Sequence, residues 1–254
     1  MYRKQNSPNR RAGGRRSKHS QRTNVPIPKP ALPGQSGGQY RPLSDNDVQR
    51  IVEVAFLLLS QLGMGEVPDR LSQDLRLAGA EIDLRGRHVF SRSLTEDAIA
   101  NAAKQFVLHG RDERRSIEVG GDKVHFGTGG AAVQTLDLDT GQYRPSTLQD
   151  LHDFTRLQDT LDNVSWFTRC CVATDVEDVL DLDLNTAYAL VRNTTKPVAT
   201  SFTLAKNIAP IIQMLDIVAG GAGNFSKRPF VKAHISPVIS PMRYGADAVD
   251  VVYT

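Results

Sequence analysis

Three short runs decide the fold: VSWFTRCC from Val164, PVATSF from Pro197 and FVKAHIS from Phe230. Each run is rich in β-branched and aromatic residues, and successive runs begin 33 residues apart. A helical pattern fills each gap, and a strand, a helix and two short loops together need about 30 or more residues. The repeat therefore predicts consecutive βα units on a parallel sheet.

The predicted fold class is α/β, as part of a TIM-type (β/α)8 barrel. A complete barrel needs eight such units and about 250 residues for the barrel alone. This chain has 254 residues in all, three clear strands and a candidate fourth in KVHFGTGG from Lys123. We therefore expect about the first half of a barrel, truncated at its C-terminus, with a small open α/β sheet as the alternative.

Residues 1–43 are predicted to form a disordered basic tail. Residues 1–44 contain ten Lys and Arg side chains and no Asp or Glu, with many Gly, Pro and Ser residues. Such a composition cannot bury enough apolar surface to offset the entropy lost on ordering. The rest of the chain is mildly acidic, so the net charge of +3 describes the tail rather than the body.

The segment 44–115 is predicted to be an α-rich N-terminal region. Ser44 is a good N-cap for a helix that ends at Gly63, and a second helix follows Pro68. Ser93 and Glu96 match a capping box for a third helix, which the apolar spacing extends through Val107.

The segment 116–254 is predicted to begin with a β-hairpin layer and to continue as the first βα units. Gly120-Gly121-Asp122 and Asp139-Thr140-Gly141 supply turns between short extended arms. Thr147 is a candidate cap for the helix that follows, and another helix is predicted to begin near Asp247.

Composition narrows the classes of function. No apolar run reaches the ~18 residues of a membrane span, so we expect no membrane partner. The adjacent cysteines, Cys170 and Cys171, indicate reduced thiols and a reducing compartment, hence a cytoplasmic protein. The histidines lack metal-binding spacing such as H-E-x-x-H, so we expect no metal site. The tail lacks interleaved aromatic residues, so nucleic-acid binding is not favoured.

Strand parity selects candidate site residues. Val231, Ala233 and Ile235 are apolar and are expected to face the helices, which turns the alternate side chains toward the barrel interior. The 33-residue offset places Thr168, Ser201 and His234 at equivalent positions, near the carboxyl ends of strands, where barrel enzymes keep their active sites. The candidate substrate-binding residues are Trp166, Thr168, Cys170, Ser201, His234 and Ser236.

Each candidate also has a structural interpretation. His234 is either a core histidine or a group that contacts substrate or moves a proton. Trp166 is either a core residue or an aromatic face for a quaternary ammonium. Cys170 is expected to be a buried thiol, and Arg169 is expected to pair with an acid. The GTGG run from Gly127 favours a turn over an anion nest.

The run HFGTGGAAVQTLDLDTGQYRPSTLQDLHDFTRLQDTLDNV, from His125 to Val164, resembles the trimethylamine methyltransferase family. So do RPFVKAHISPVISPMRYGADAVDVV from Arg228 and the leader RRAGGRRSKHSQR. The resemblance implies a TIM-type barrel that moves a methyl group from a methylated amine to the cobalt of a separate corrinoid protein. The amine would be trimethylamine, glycine betaine or a similar compound. The corrinoid (cobalamin) would be supplied by that partner, with no cofactor bound directly.

The resemblance assigns no catalytic residue. The SPLR-like stretch of the family is SPMR here, from Ser240 to Arg243. The pyrrolysine position of some members would lie beyond Thr254, so both types of member remain open. Two other functions also remain open: a non-catalytic half-barrel that forms a homo-oligomer through its open edge, and a nucleic-acid-binding protein that uses its basic tail.

Overall fold

The computed structural model describes residues 33–254, so most of the predicted basic tail lies outside the described residues. The helices are α1 (Asp45–Leu57, continued by a π-helical turn, Leu58–Leu62), α2 (Asp69–Leu77), α3 (Arg92–Asn101), α4 (Leu148–Asp159), α5 (Val179–Asn193), α6 (Ile208–Val218), α7 (Asn224–Lys227) and α8 (Ala246–Val252). Short 3-10 turns span Glu113–Arg115 and Ala205–Asn207.

The strands are short, and most of them form two-stranded ladders. They are β1 (Gln35–Ser36), β2 (Glu81–Ile82), β3 (His88–Val89), β4 (Gln105–Leu108), β5 (Ile117–Gly120), β6 (Lys123–Val124), β7 (Gln134–Leu136), β8 (Tyr143–Pro145), β9 (Phe167–Thr168), β10 (Val198–Thr200), β11 (Val231–Ala233), β12 (Val238–Ile239) and β13 (Arg243–Tyr244).

The predicted parallel sheet is confirmed as a three-stranded sheet in the order β11-β10-β9. Val198 lies opposite Val231, which is 33 residues further on, but opposite Phe167, which is only 31 residues earlier. The predicted alignment of Thr168 with Ser201 is therefore wrong by two residues, since Thr168 lies opposite Ala199. A two-residue shift is one full strand period, so the predicted parity survives.

A fourth, irregular segment runs parallel to β9, in the region where a further strand was expected. Isolated parallel bridges join Gly127 to Trp166 and Ala132 to Cys171. The GTGG run thus lies in this extended segment rather than in a turn. The α/β class is confirmed, whereas these small sheets do not establish a barrel, and the TIM-type architecture stays a prediction.

One face of the parallel sheet forms the hydrophobic core with the helices that follow each strand. Phe167, Val198 and Val231, which share one register position, are all buried. They belong to one cluster with Leu190 of α5 and Leu215 of α6. Because this face is occupied by apolar packing, the opposite parity and the strand ends are left for polar side chains.

The helices of this region begin where local hydrogen bonds favour a start. Thr147 and Asp150 form a capping box at α4, as the candidate cap predicted. Asp178 caps α5 by accepting a bond from the Asp181 N–H. These caps satisfy backbone donors that a helix start leaves unpaired.

The third N-terminal helix differs from its prediction. Ser91, not Ser93, accepts the capping bond, and α3 ends at Asn101 instead of continuing through Val107. Phe106 and Val107 instead belong to β4, which pairs antiparallel with β5. Aromatic and β-branched side chains suit a strand, and this long-range pairing outweighs their helical spacing.

Of the two predicted hairpins, the second is confirmed, and the first has its turn but not its strand pairing. β7 and β8 pair antiparallel around Asp139-Thr140-Gly141, as predicted. Gly121 and Asp122 form the other predicted turn, yet the arms beside it do not pair with each other. β5 pairs with β4, and β6 pairs with Gln35–Ser36, residues that the tail prediction left without secondary structure.

Candidate functional site

A cavity of about 440 Å³ lies at the carboxyl ends of β9, β10 and β11. Residues at or just beyond each strand end line it, together with Gly130 from the segment beside β9 and residues of α8. The strand-end residues that matter below are Thr168, Arg169, Ser201, Phe202, His234 and Ser236. Its position is the one where parallel-sheet enzymes carry their binding sites.

Four of the six predicted site residues meet at this cavity: Thr168, Ser201, His234 and Ser236. Thr168 is buried, Ser201 is half-buried, and His234 and Ser236, which both follow β11, are exposed. They come together because the three parallel strands end side by side, and neighbouring residues of the opposite parity line the cavity as well. Their roles in binding substrate stay predictions.

Trp166 does not line the cavity, although the parity argument placed it there. A Cβ atom on Gly127 would overlap the indole, so the chain approaches the ring closely at that glycine. The Lys232 Nζ lies 4.3 Å from the centroid of the ring. The aromatic surface suggested for a quaternary ammonium is thus in contact with an ammonium group of the chain itself.

Burial lowers the pKa of Lys232 below its usual range. Lys232 is half-buried, and a cation–π contact is stronger for a partly desolvated cation than at a fully exposed site.

Cys170 also lies away from the cavity lining. Both cysteines are free thiols, with Cys171 buried and Cys170 half-buried, so the expectation of reduced thiols is met within the described part of the chain. A hydrogen bond from the neighbouring Cys171 thiol lowers the pKa of Cys170, whereas Cys170 and burial raise that of Cys171. The Cys170 carbonyl accepts a hydrogen bond from the Ala132 N–H at 2.9 Å, which ties β9 to the segment beside it.

Thr168 is held rigidly, but its hydroxyl is not used. The Thr128 hydroxyl donates to the Thr168 carbonyl at 2.7 Å and accepts from the Thr168 N–H at 2.9 Å. Thr168 is only 5% exposed, and its Oγ1 has no hydrogen-bond partner among residues 33–254. Buried hydroxyls are ordinarily paired, so this one lacks the partner that such a group usually has.

The loop after β10 is fixed by a buried carboxylate. Asp183, on α5, accepts hydrogen bonds from the Thr203 N–H at 2.8 Å and the Thr203 hydroxyl at 2.7 Å. It also accepts one from the Asn207 side chain at 2.8 Å. These bonds hold the Ser201–Thr203 segment, which lines the cavity, in one conformation.

Arg169 lines the cavity and does not pair as predicted. Within the described part of the chain its guanidinium forms no hydrogen bond and no close ion pair, and the acid that attracts it, Asp183, acts at longer range. Burial lowers its pKa, and the attraction of Asp183 opposes that effect in part. The result is a partly buried cation whose donors are free to bind a ligand.

The sequence analysis did not select Arg169, Phe202 or Asp247 as site residues, and all three line the cavity. Arg169 and Phe202 could have been found, because they come within two residues of a predicted strand's carboxyl end. Asp247 lies in the first turn of α8, and only the folded chain brings that helix to the cavity. Together the lining offers hydroxyls, an imidazole, a guanidinium and a carboxylate.

No group of three or more His, Cys, Asp or Glu side chains in residues 33–254 could hold a metal ion. None of the helices in this range is long and apolar enough to cross a membrane.

The chain matches the model of one protein family over residues 11–254, and that family is described as trimethylamine methyltransferase. Trimethylamine methyltransferase MttB of Desulfitobacterium hafniense (strain DCB-2) is 27% identical over 82% of this chain and 42% of the relative. Glycine betaine methyltransferase of D. hafniense (strain Y51) is 24% identical over 83% of this chain and 43% of that protein. MttB of Methanosarcina thermophila is 25% identical over 85% and 46%. The chain therefore spans less than half the length of these curated relatives.

Proposed function

The chain belongs to the trimethylamine methyltransferase family, and we propose that it transfers a methyl group from a methylated amine to the cobalt of a corrinoid carried by a separate protein. One observation carries this proposal. Three parallel strands bring Thr168, Ser201 and His234 to one cavity at their carboxyl ends, where enzymes of this architecture bind their substrates. The relatives named above act, by their names, on trimethylamine or glycine betaine.

In the transfer, the bond between nitrogen and the methyl carbon breaks and its electron pair stays on nitrogen, while the acceptor cobalt supplies the pair for the new bond. Such a displacement needs an in-line approach, so the enzyme's main task is to position the amine and exclude water. A quaternary amine leaves as a neutral amine and needs no proton from the protein.

The size of the cavity supports a mechanism in which the amine binds inside it and the corrinoid stays on a separate protein. A volume of about 440 Å³ is within the range of small-molecule sites and accommodates a methylated amine. It is too small to enclose a corrinoid, so the acceptor would approach at the mouth of the cavity on its own protein. In this proposal Ser201 and His234 orient the amine, and Asp183 keeps the loop of Ser201 in place.

We propose that the parallel sheet is part of a TIM-type barrel. β9, β10, β11 and the irregular segment beside β9 are four adjacent parallel elements, and helices follow each of the three regular strands. The same arrangement places the cavity at the carboxyl ends of the strands, as in barrel enzymes.

The test is methyl transfer from a ¹³C-methyl-labelled amine to a corrinoid protein, followed by NMR. Replacing His234 or Ser201 by Ala should slow transfer about 10-fold or more, because misplacement of the reacting group is costly. His109→Ala, a histidine outside the cavity, is the matched control. Transfer at an unchanged rate in both cavity variants, or no transfer from any methylated amine, would contradict the proposal.

One observation favours a second candidate, the half-barrel that associates with another copy. β11 is the edge strand of its sheet among residues 33–254, so one side of its backbone lacks a strand partner there. In this case light scattering should give twice the monomer mass at micromolar concentration, and methyl transfer should be absent.

A further inference from the structure

A second cavity, of about 280 Å³, lies at the amino edge of the parallel sheet. Its lining residues are Arg111, Val218, Ala219, Asn224, Arg228 and Phe230. Phe230 comes directly before β11, and Thr194, whose carbonyl accepts a hydrogen bond from Arg111, lies between α5 and β10. The cavity is therefore at the opposite edge of the sheet from the candidate site, which lies at the carboxyl ends of the same strands.

Two guanidinium groups line this cavity without an acid to neutralise them. Neither Arg111 nor Arg228, both half-buried, forms an ion pair with any residue in 33–254. Residues 1–32 contain no Asp or Glu and so supply no side-chain carboxylate. Partly buried charges in proteins are ordinarily paired, so two unpaired cations on one cavity indicate that an anion completes the arrangement.

Arg111 keeps a donor group that the protein does not use. Its Nη2 donates to the Thr194 carbonyl at 3.1 Å, whereas its Nη1 forms no hydrogen bond and is open to solvent. Burial lowers the pKa of Arg111, and the attraction of Asp159 opposes that effect in part. Asp159 is itself engaged, since it pairs with Arg115 and accepts from the Thr194 hydroxyl at 2.6 Å.

Arg228 is held in a similar way. Its Nη2 donates to the Ser116 hydroxyl at 3.2 Å, and its Nε and Nη1 form no hydrogen bond and are open to solvent. The Ser116 hydroxyl also accepts from the Gly110 N–H at 3.1 Å, so Arg228 is tied to the loop that carries Arg111. Hydrogen bonds within the protein thus fix both cations on the same cavity before a ligand arrives, which lowers the entropic cost of binding.

The rest of the lining also favours an anion. The Asn224 Nδ2 makes one long hydrogen bond, 3.5 Å to the Ala219 carbonyl, and so keeps donor capacity. Its Oδ1 already accepts from Lys227 at 3.0 Å. Val218 and Phe230 are apolar and limit hydration of the cavity, which strengthens the attraction between charges.

The arrangement of the donors favours a phosphate group over a carboxylate. A carboxylate has two coplanar oxygens and one charge, which a single guanidinium satisfies. A phosphate is tetrahedral, carries more negative charge and offers at least three acceptor oxygens. It can therefore accept hydrogen bonds from Arg111 and Arg228, which come from separate segments of the chain, and from Asn224 at the same time.

We propose that Arg111 and Arg228 form a binding site for a phosphate group at the amino edge of the sheet, with Asn224 as a third donor. The bound anion connects the loop of residues 110–116 to the segment before β11. A ligand that binds only the folded chain stabilises it, so phosphate raises the unfolding temperature. This site does not depend on the proposed function, because it lies away from the cavity in which the amine would bind.

Calorimetric titration of the whole chain with sodium phosphate tests the proposal, with sodium chloride at equal ionic strength as the reference. We expect saturable binding at millimolar phosphate and none of chloride. Glycerol 3-phosphate distinguishes the two sources of the group. Binding at least as tight as that of inorganic phosphate assigns the site to a phosphate ester, whereas weaker binding assigns it to the free ion.

Two substitutions remove one cation each. Arg111→Gln and Arg228→Gln should each weaken phosphate binding about 10-fold or more, the effect of losing a charge-assisted hydrogen bond. Arg114→Gln is the matched control, because Arg114 belongs to the same loop but is 88% exposed and outside the cavity. It should leave phosphate binding unchanged. Circular dichroism verifies that the variants are folded.

A second measurement uses the unaltered protein and so does not depend on how the variants fold. Phenylglyoxal modifies accessible arginines, and mass spectrometry locates the modified residues. With phosphate at ten times its dissociation constant about one site in ten is free, so modification of Arg111 and Arg228 should slow about 10-fold. Modification of Arg114 should not slow.

Three results would overturn the site. The first is no saturable binding of inorganic phosphate or glycerol 3-phosphate. The second is an equal loss of binding in Arg114→Gln and in the two cavity variants, which would indicate attraction to the general charge of the surface. The third is equal protection of all three arginines, or protection of none, in the modification experiment.

Discussion

The region of α4–α6 and the region of α1–α3 differ in how much of their helices is buried in the core. Helices α4, α5 and α6 each bury side chains in the core beneath the parallel sheet. Helices α1, α2 and α3 bury no residue at all, although α1 and α3 have well-formed serine caps. Local sequence signals are enough to start helices in both regions. Burial, however, concentrates stability in the region of α4–α6, and that region also holds the site rigid.

The sharpest test of this comparison is one substitution made in both regions. Leu190→Ala, at a fully buried position of α5, should lower the free energy of unfolding by about 2–5 kcal/mol through lost burial and a residual cavity. Leu77→Ala, at an 88% exposed position of α2, should change it by no more than about 0.5 kcal/mol. Urea unfolding measures both, and similar losses would break the distinction.

The next effect concerns two carboxylates that each organise a loop. Asp183→Asn should lower stability by about 2 kcal/mol, because a buried acceptor of three hydrogen bonds loses its charge. Asp83→Asn, in the N-terminal region, should cost clearly less, since water can replace the bonds that Arg85 and Arg87 donate to it. Denaturation midpoints rank the two variants, and the reverse order would contradict this account.

A smaller difference is expected between two helix caps. Thr147→Ala removes the capping box of α4 and should cost about 1 kcal/mol of unfolding free energy. Ser44→Ala removes the same type of bond at α1, but that helix is weakly tied to the core, so global unfolding should hardly register it. Amide exchange should then show faster local opening of α1, and an equal global loss would count against the comparison.

The smallest effect expected is a pH dependence confined to acid solution. Hydrogen bonds from Arg144 hold the pKa of Asp150 at about 2, below the value of about 3.9 for an unfolded chain. A depressed carboxyl pKa contributes stability above the unfolded value and loses it as the pH falls through the folded value.

Asp150→Asn should therefore destabilise the protein at neutral pH and have much less effect near the folded pKa of about 2. Urea titrations of the wild type and the variant at these two pH values give the comparison. Equal destabilisation at both would show that the charge of Asp150 is not what matters.

Local chemistry could be predicted well from the sequence. Ser44, Pro68 and Thr147 mark helix starts because capping depends on a few adjacent residues. The three strand runs were found because β-branched and aromatic clusters recur at one spacing. Thr168, Ser201 and His234 were predicted to meet because each comes at or just after the carboxyl end of a recognisable strand run, and the carboxyl ends of parallel strands lie at one edge of the sheet.

Long-range pairing could not be predicted. Phe106 and Val107 fit a helix until β5 is available as a partner, and Lys123–Val124 pair with residues near the N-terminal end of the described chain. The 31-residue spacing of β9 and β10 reflects loop geometry that no local pattern encodes. The same holds for Asp247, which only tertiary packing brings to the cavity.

The central claim is that a methylated amine binds at the carboxyl ends of β9, β10 and β11. A crystal structure of the protein soaked with glycine betaine tests it most directly. The account predicts the ligand in this cavity, in contact with Ser201 and His234. A ligand bound elsewhere on the ordered protein, with this cavity filled only by solvent, would contradict it.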